Sequence, residues 1–436
     1  MIDNRLLDTH ERAVEILNRR ANSYHVVTIS RIRGLLSVEV LRQALDLIQK
    51  RHPLLNSRIV GELNNLRFEA GAIQIPLKVV NKLDSCQWEE VVLEELNEKI
   101  ASDKVLMRAV LVTIESQRDI NYLITTFHHT IIDGLSSVRL HSEILTYCQN
   151  IESDEVDSKK IAPLSPLPII QKIFPKSMLG FSGFIKTIFY LLKMGLKFIF
   201  YRPATLGFEK YVTVEHRSSN MLHRQIDAEI TKKIISASRR ERTTVHGTLC
   251  AALLLAIAKV ISYNEKSNLC LSCLSYVNLR QRLQTEISDD NLGMLVASIN
   301  SFHTVGDETS FWDLARNIKQ TLEGSLENDD IFSNLLASKT LANFILNNSN
   351  QILCSLAVSN IGRVNIPEVY GKFQVEEISF VTAVALFAGV PVVAISTFAG
   401  KMFLNFMFSE PSISRVTMEE IADYTINYLK NNVDIL

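Results

Sequence analysis

The sequence carries no excess of charge of either sign. Its 46 basic and 47 acidic side chains nearly cancel, so the electrostatic footprint of a nucleic-acid binder is missing. Cysteines are few and form no framework: the six fall at 86, 148, 250, 270, 273 and 354, without the spacing of a disulfide-stapled domain. Cys270 and Cys273 make a CxxC, but inside the strand-like run LCLSCLSYV. An odd separation on a strand sends the two sulfurs to opposite faces, which suits small buried hydrophobes and not a metal clip. The opening MIDNRLLDTHERAVEILNRR has no apolar core segment, so no signal peptide is expected. A GxSxG nucleophile elbow is also missing, which argues against a Ser-His-Asp hydrolase. These absences lead to the expectation of a cytoplasmic, reduced chain.

What is present begins with bulk. Hydrophobic residues make up 47% of 436, ample for a large core and for two or three ordinary domains. The chain is organised around Phe127-His128-His129-Thr130-Ile131-Ile132-Asp133-Gly134. Asn121 to Phe127 reads as a buried strand, because β-branched and aromatic residues dominate it. The following GLSSVRLHSEILTYCQ has apolar residues close to helical spacing. Two histidines therefore stand where a strand ends and a helix begins. Asp133 is placed to cap that helix, and Gly134 removes a side chain where the backbone turns. A histidine there can serve as a general base, since its ordinary pKa near 6.5 leaves much of it neutral at pH 7. The plainer alternative is a buried, hydrogen-bonded pair at a strand end. Adjacent histidines without a third nearby ligand make a poor metal site, so no metal is expected.

Elsewhere the pattern alternates strands and helices. Strands are expected at 24–32, 57–60 and 107–115, and a helix capped by Ser37 over VEVLRQALDLIQKR. His52, before a proline in RHPLL, reads as a turn residue. Composition shifts at 150, where IESDEVDSKK and the proline-rich IAPLSPLPIIQKIFP read as a linker. Residues 179–201, LGFSGFIKTIFYLLKMGLKFIFY, are the most apolar stretch. Lys186, Lys193 and Lys197 are spaced to share one helical face, which argues against a membrane span. Such a helix suits packing on the protein's own surface, a membrane interface, or cover for a greasy channel. From about 205 strands and helices alternate again, with strands at 221–226, 269–277, 294–302, 352–359, 373–382, 392–399 and 402–408. TLCAALLLAIAKVI is apolar nearly all round, so it should be a central buried helix. The expected division is 1–150, a linker with an amphipathic helix at 151–204, and 205–436, an α/β protein of two layered halves.

The full pattern HHxxxDG resembles the signature of acyltransferases related to chloramphenicol acetyltransferase, a superfamily that includes nonribosomal peptide condensation domains. Further stretches extend the resemblance: ALDLIQKRHPLLNSRI, TTVHGTLCAALLLA, the strand end YVNLRQRL, and VSNIGR at Val358 to Arg363. The DFGWG motif of the BAHD acyltransferases is absent, with STFAGKMFLNF in its place, and so is the opening motif of peptide-synthetase condensation domains. The chain thus most resembles stand-alone enzymes of the phthiocerol dimycocerosyl transferase and alcohol acetyltransferase type.

The resemblance implies two chloramphenicol-acetyltransferase-like layered subdomains with an active-site tunnel between them. It implies an acyltransferase in lipid, polyketide or other secondary metabolism. The acyl group would move from a CoA or carrier-protein thioester to an acceptor hydroxyl. It makes His129 the general base and His128 a packing or loop-positioning residue. Asp133 would point away from the base and pair with Arg280, tying the motif loop to the second half. Backbone N–H groups around Gly134 are candidates for the oxyanion, as are Ser359 and Asn360, for which a turn-forming role is the alternative. His246, at a helix start, reads as structural. No bound cofactor is implied; the acyl thioester is a co-substrate. Two alternatives stay open: an amide-forming condensation enzyme on carrier-bound substrates, and a non-catalytic carrier-protein or membrane-docking module. The expected partners are the thioester donor, an alcohol or amine acceptor and an acyl or peptidyl carrier protein, with peripheral membrane contact through 179–201 an open alternative. A monomer is expected.

Overall fold

The computed structural model describes residues 4–155, 161–262, 268–285, 287–352 and 354–434. Part of the charged stretch before the proline-rich linker, 156–160, lies outside the described residues. The first elements are helix α1 (Thr9–Ala21), strand β1 (His25–Arg33), α2 (Val38–Arg51), β2 (Ser57–Val60), β3 (Arg67–Ala70) and β4 (Leu77–Lys82). After them come α3 (Trp88–Asn97), β5 (Met107–Ile114), β6 (Ile120–His128), α4 (Gly134–Glu152) and α5 (Gly180–Tyr201). Then follow β7 (Ser218–Ile226), α6 (Ala228–Arg240), α7 (Val245–Ile261), β8 (Leu269–Asn278), β9 (Val296–Val305), α8 (Phe311–Glu327) and α9 (Asp330–Asn347). The last are β10 (Leu356–Arg363), β11 (Val369–Tyr370), β12 (Phe373–Thr382), β13 (Val392–Phe398), β14 (Lys401–Glu410) and α10 (Arg415–Asp434).

Two compact units result, and each draws on several stretches of chain. The first comprises Met1–Ile173, Arg280–Leu295 and Arg363–Ala383; the second comprises Phe174–Leu279, Val296–Gly362 and Val384–Leu436. Each holds one six-stranded sheet among the described residues.

In the first unit the strand order is β11-β12-β1-β6-β5-β4. Strand β12 comes from late in the chain and pairs antiparallel with β1, Thr28 opposite Phe380. On its other edge β1 pairs with β6, Thr28 opposite Thr125. Alternation then sorts the side chains. Ser30 and Thr125 meet the two ring nitrogens of His141 on α4, at 2.7 and 2.5 Å. Thr126 and His25 turn the opposite way and bond the Glu95 carboxylate and carbonyl on α3. Strand β6 is thus covered on both faces and buried along its whole length, which is why it lacks the alternation of a strand with one face in water. The small β2–β3 pair and strand β4 have weak strand signals, RFEA and LKVVNK. β4 is an edge strand, parallel to β5, and is half exposed.

In the second unit the order is β7-β14-β13-β10-β8-β9; β7–β14, β14–β13 and β8–β9 pair antiparallel and β10–β8 parallel. Helix α7 is its core element, with twelve buried residues from Gly247 to Ala258. Its side chains are apolar nearly all round, and it packs against α8, α10 and β8.

Helix α5 forms where the sequence places a helix. Its lysine face turns inward, onto the protein's own acidic groups. Lys186 Nζ lies 3.3 Å from Asp329 and Lys193 Nζ 3.0 Å from Asp330, both at the start of α9. Asn334 of α9 donates to the Tyr190 hydroxyl at 3.1 Å. None of the single helices among the described residues is long and apolar enough to cross a membrane.

Candidate active site

The motif occupies the end of β6, one 3₁₀ turn over His129–Ile131, and the start of α4. Asp133 is the N-cap, its Oδ1 accepting from the Ser136 N–H at 2.8 Å. This placement fixes the two histidines differently. His128 is the last residue of the strand and has no solvent exposure. Its Nδ1 accepts from the Thr130 N–H at 3.3 Å, and its Nε2 lies 2.8 Å from Glu15 Oε2 on α1. Burial by itself would raise the Glu15 carboxyl. His128, Ser102 and Arg19 outweigh burial and hold it below the usual carboxylate range. His128 and Glu15 thus form a buried link from α1 to the motif.

His129 leaves the strand and is only half-buried. Its Nδ1 is 2.6 Å from the Ile132 carbonyl oxygen. A carbonyl only accepts, so Nδ1 carries the proton and Nε2 keeps a bare lone pair. Burial lowers the pKa of His129 below 6.5, opposed by the Ile132 bond and by the charge of Asp133. The ring is therefore neutral at pH 7, with its basic nitrogen uncommitted. Tyr24, in a left-handed backbone conformation (φ 71°), sets its ring 5.8 Å from that of His129.

Asp133 is engaged by partners other than His129. Arg280 Nη1 donates to its Oδ2 at 2.9 Å and the Leu295 N–H to the same oxygen at 3.0 Å. Arg280 Nη2 also reaches Ser136 Oγ at 2.5 Å. Both charged groups are about 5% exposed. All of these residues belong to the first unit, including Arg280 and Leu295. Gly134 is required by close approach: a Cβ there would sit 2.7 Å from the Phe380 ring of β12. The N–H groups of Gly134 and Leu135 open α4, whose Asp133 cap takes the Ser136 N–H. They are two of the donors a helix start leaves unpaired.

Ser359 and Asn360 stand on β10, which the second unit holds up to Gly362. Asn360 Oδ1 accepts from the Gly362 N–H at 2.8 Å, and Gly362 takes φ 70°. His246, near the start of α7, bonds Ser275 Oγ at 2.9 Å, and burial lowers its pKa to about 4. His52 lies 2.7 Å from Glu143.

Three groups beside the histidine pair carry no motif and were invisible in the sequence: Glu15 at His128, and Tyr24 and His10 at His129. His10, the second residue of α1, is close enough to His129 for their charges to interact, and burial first, then His129, lowers its pKa to about 3. Its Nδ1 is shut from solvent without a hydrogen-bond partner. With Asp8, Leu54, Ile173, Met294 and Leu295 it lines a cleft of the first unit. Only the capping pattern DTHE marks that helix start in the sequence.

Comparisons with known proteins bear on the fold that carries this site. Residues 12–163 match the condensation-domain family model. Residues 216–407 match the model for the C-terminus of phthiocerol/phthiodiolone dimycocerosyl transferase. A search of curated protein sequences found no match. Among solved structures the chain is similar to polyketide synthase associated protein 5 from Mycobacterium tuberculosis, at TM-score 0.69 and 16% identity, covering 98% of this chain and 99% of that one. It is similar to a trichothecene 15-O-acetyltransferase from Fusarium sporotrichioides, at TM-score 0.75 and 12% identity, covering 98% and 95%. The first condensation domain of the calcium-dependent antibiotic synthetase gives TM-score 0.74 at 11% identity, covering 98% and 96%. The chain thus has the chloramphenicol acetyltransferase-like fold of these structures, its residues 12–163 resembling condensation domains and its residues 216–407 the phthiocerol/phthiodiolone dimycocerosyl transferase C-terminus.

Proposed function

We propose that the chain transfers an acyl group from a thioester to an acceptor hydroxyl, with His129 as the general base. The observation that carries this reading is the 2.6 Å bond from His129 Nδ1 to the Ile132 carbonyl. It commits the proton to Nδ1 and leaves Nε2 as the acceptor. Nε2 takes the hydroxyl proton while the oxygen attacks the thioester carbonyl, giving a tetrahedral oxyanion. The C–S bond then breaks, and the imidazolium returns the proton to the departing thiolate. The acyl donor is already activated, so the protein's part is proton transfer, alignment and charge stabilisation. The unpaired N–H groups of Gly134 and Leu135 are the candidate oxyanion donors in the first unit. Asp133 and Arg280 act structurally, as the frame that holds the motif turn.

The donor is a CoA or phosphopantetheinyl-carrier thioester. The condensation-domain match over residues 12–163 favours a second reading, amide formation on carrier-bound substrates, which uses the same base. Purified chain incubated with radiolabelled acyl-CoA or acylated carrier protein, plus an alcohol or an amine, separates the two. Labelled ester is the expected product; labelled amide alone selects the second reading, and no transfer from either donor contradicts both.

The same assay gives a pH test. His129 acts only when Nε2 is unprotonated, and its pKa is lowered from 6.5. Transfer should therefore be flat through neutral pH and fall only as pH drops below about 6.5. An acid limb of kcat/KM centred above 7 would contradict the assignment.

A further inference from the structure

The second unit carries a large apolar surface that its own chain leaves uncovered. On α5 the side chains of Phe181, Phe184, Phe189, Leu192, Leu196 and Phe200 are 59–81% exposed. Ile185, Ile188 and Ile199 continue the same stripe at 37–69%. Their spacing of three and four residues puts them on one side of a helix of 22 residues, roughly 33 Å long. Each exposed ring or Leu presents on the order of 100 Å². The stripe therefore exceeds the few hundred Å² that a soluble monomer ordinarily shows.

The inward face explains why the stripe points out. Gly183, Thr187 and Tyr190 are buried. Lys186 and Lys193 are held by Asp329 and Asp330, and Phe198 and Tyr201 pack on Phe302 at 5.2 Å each. A Cβ at position 183 would collide with the Met178 carbonyl at 2.0 Å. The helix is thus fixed to its unit by its polar and aromatic side. Its rotation is set by the buried Gly183, Thr187 and Tyr190 and by the ring contacts to Phe302, with the half-exposed Lys186 and Lys193 pairs alongside.

Charge says what the partner is. From Ile161 to Phe208 the sequence contains no Asp or Glu, while Lys172, Lys176, Lys186, Lys193, Lys197 and Arg202 all fall within it. Lys176, just before α5, and Arg202, its C-cap, are both exposed. Cations therefore flank the apolar stripe at both ends. An apolar, aromatic-rich stripe between exposed cations, on a helix with no acidic residue, matches an anionic bilayer surface. We propose that α5 is an in-plane membrane anchor. Phe181, Phe184, Phe189, Leu192, Leu196 and Phe200 enter the acyl boundary, and Lys176 and Arg202 meet lipid phosphates. Lys186 and Lys193, though partly exposed, are neutralised by Asp329 and Asp330, so the cations that read the lipid are the ones at the ends of the helix. This proposal does not depend on the acyl-transfer reading.

Co-sedimentation of the full chain with large vesicles tests it. Phosphatidylcholine vesicles with and without 30% phosphatidylglycerol would be used at low salt and at 0.5 M NaCl. The chain should sediment with the anionic vesicles, less at high salt and less with neutral lipid. The triple variant Phe181→Ser, Phe189→Ser, Leu196→Ser should bind at least tenfold more weakly, with its thermal unfolding unchanged because those side chains make no core contact. Lys176→Glu with Arg202→Glu should remove the preference for anionic lipid while leaving the residual binding to neutral lipid. The proposal is overturned if the intact chain stays in the supernatant with anionic vesicles at low salt, or if the triple variant binds them as the parent does. It is equally overturned if light scattering finds a dimer that the triple variant dissociates and that binds no vesicles. The occupant would then be a second copy of the chain.

Discussion

His129→Ala should lower the single-turnover rate of acyl transfer at least a hundredfold and leave thermal unfolding almost unchanged. The size follows from the usual contribution of a positioned general base, about 10²–10⁴-fold. The small effect on stability follows from the half-buried position of the ring and its single backbone bond to Ile132. His128→Ala should behave in the opposite manner. That ring is fully buried against Glu15, so its loss leaves a cavity and strips one oxygen of an ionised carboxylate of its partner, Arg19 and Ser102 holding the other. A lower Tm with a smaller loss of rate is expected. Near wild-type turnover in His129→Ala would remove the mechanism.

Asp133→Ala should lower Tm by on the order of 10 °C. Arg280 is about 5% exposed and gives Asp133 its 2.9 Å bond. Without the carboxylate, a guanidinium stays buried, and the N–H groups of Leu295 and Ser136 lose their acceptors. Breaking a buried pair from one side costs about 3–5 kcal/mol, and each kcal/mol is worth ~2–4 °C in a cooperative unit of roughly 150–250 residues, the size class of the first unit. Arg280→Ala should fall by a similar amount, since it strands the opposite charge. Arg280→Lys should recover little of the loss, because a point charge cannot reach both Asp133 and Ser136 as the planar fork does. Activity should drop in step with stability. Thermal unfolding unchanged beside lost activity would instead place Asp133 in the chemistry.

Much of this was legible in the sequence, for identifiable reasons. Strand β6 is buried on both faces, so its composition alone marks it. Ser37 and Asp133 sit at the N-caps of α2 and α4, where a short polar side chain before an apolar stripe is a local signal. The Asp133–Arg280 pair, 147 residues apart, came from the motif resemblance; nothing local connects the two positions. What stayed hidden depends on long-range placement. That β12 lies beside β1 is a pairing across some 350 residues, and two alternating strands do not announce their partner. Edge strand β4 lacked a period because none of its positions is fully buried, so no face demands apolar side chains. His10 and Glu15 approach the motif only because α1 packs on the 3₁₀ turn at His129–Ile131. Along α5 the periodicity correctly grouped the lysines on one face, but Asp329 and Asp330, which claim that face, lie some 140 residues further on. The direction of the helix was therefore inverted from what a free amphipathic helix would choose.

The central claim is that His129 presents a bare Nε2 at neutral pH. Nitrogen-15 NMR of the histidine-labelled chain, with His129 assigned by loss of its signals in His129→Ala, reads this directly. The expected spectrum at pH 7.5 shows a neutral ring with the proton on Nδ1 and Nε2 unprotonated, passing to the doubly protonated form only below pH 6.5. A proton on Nε2 at pH 7.5, or a charged ring there, would contradict the account.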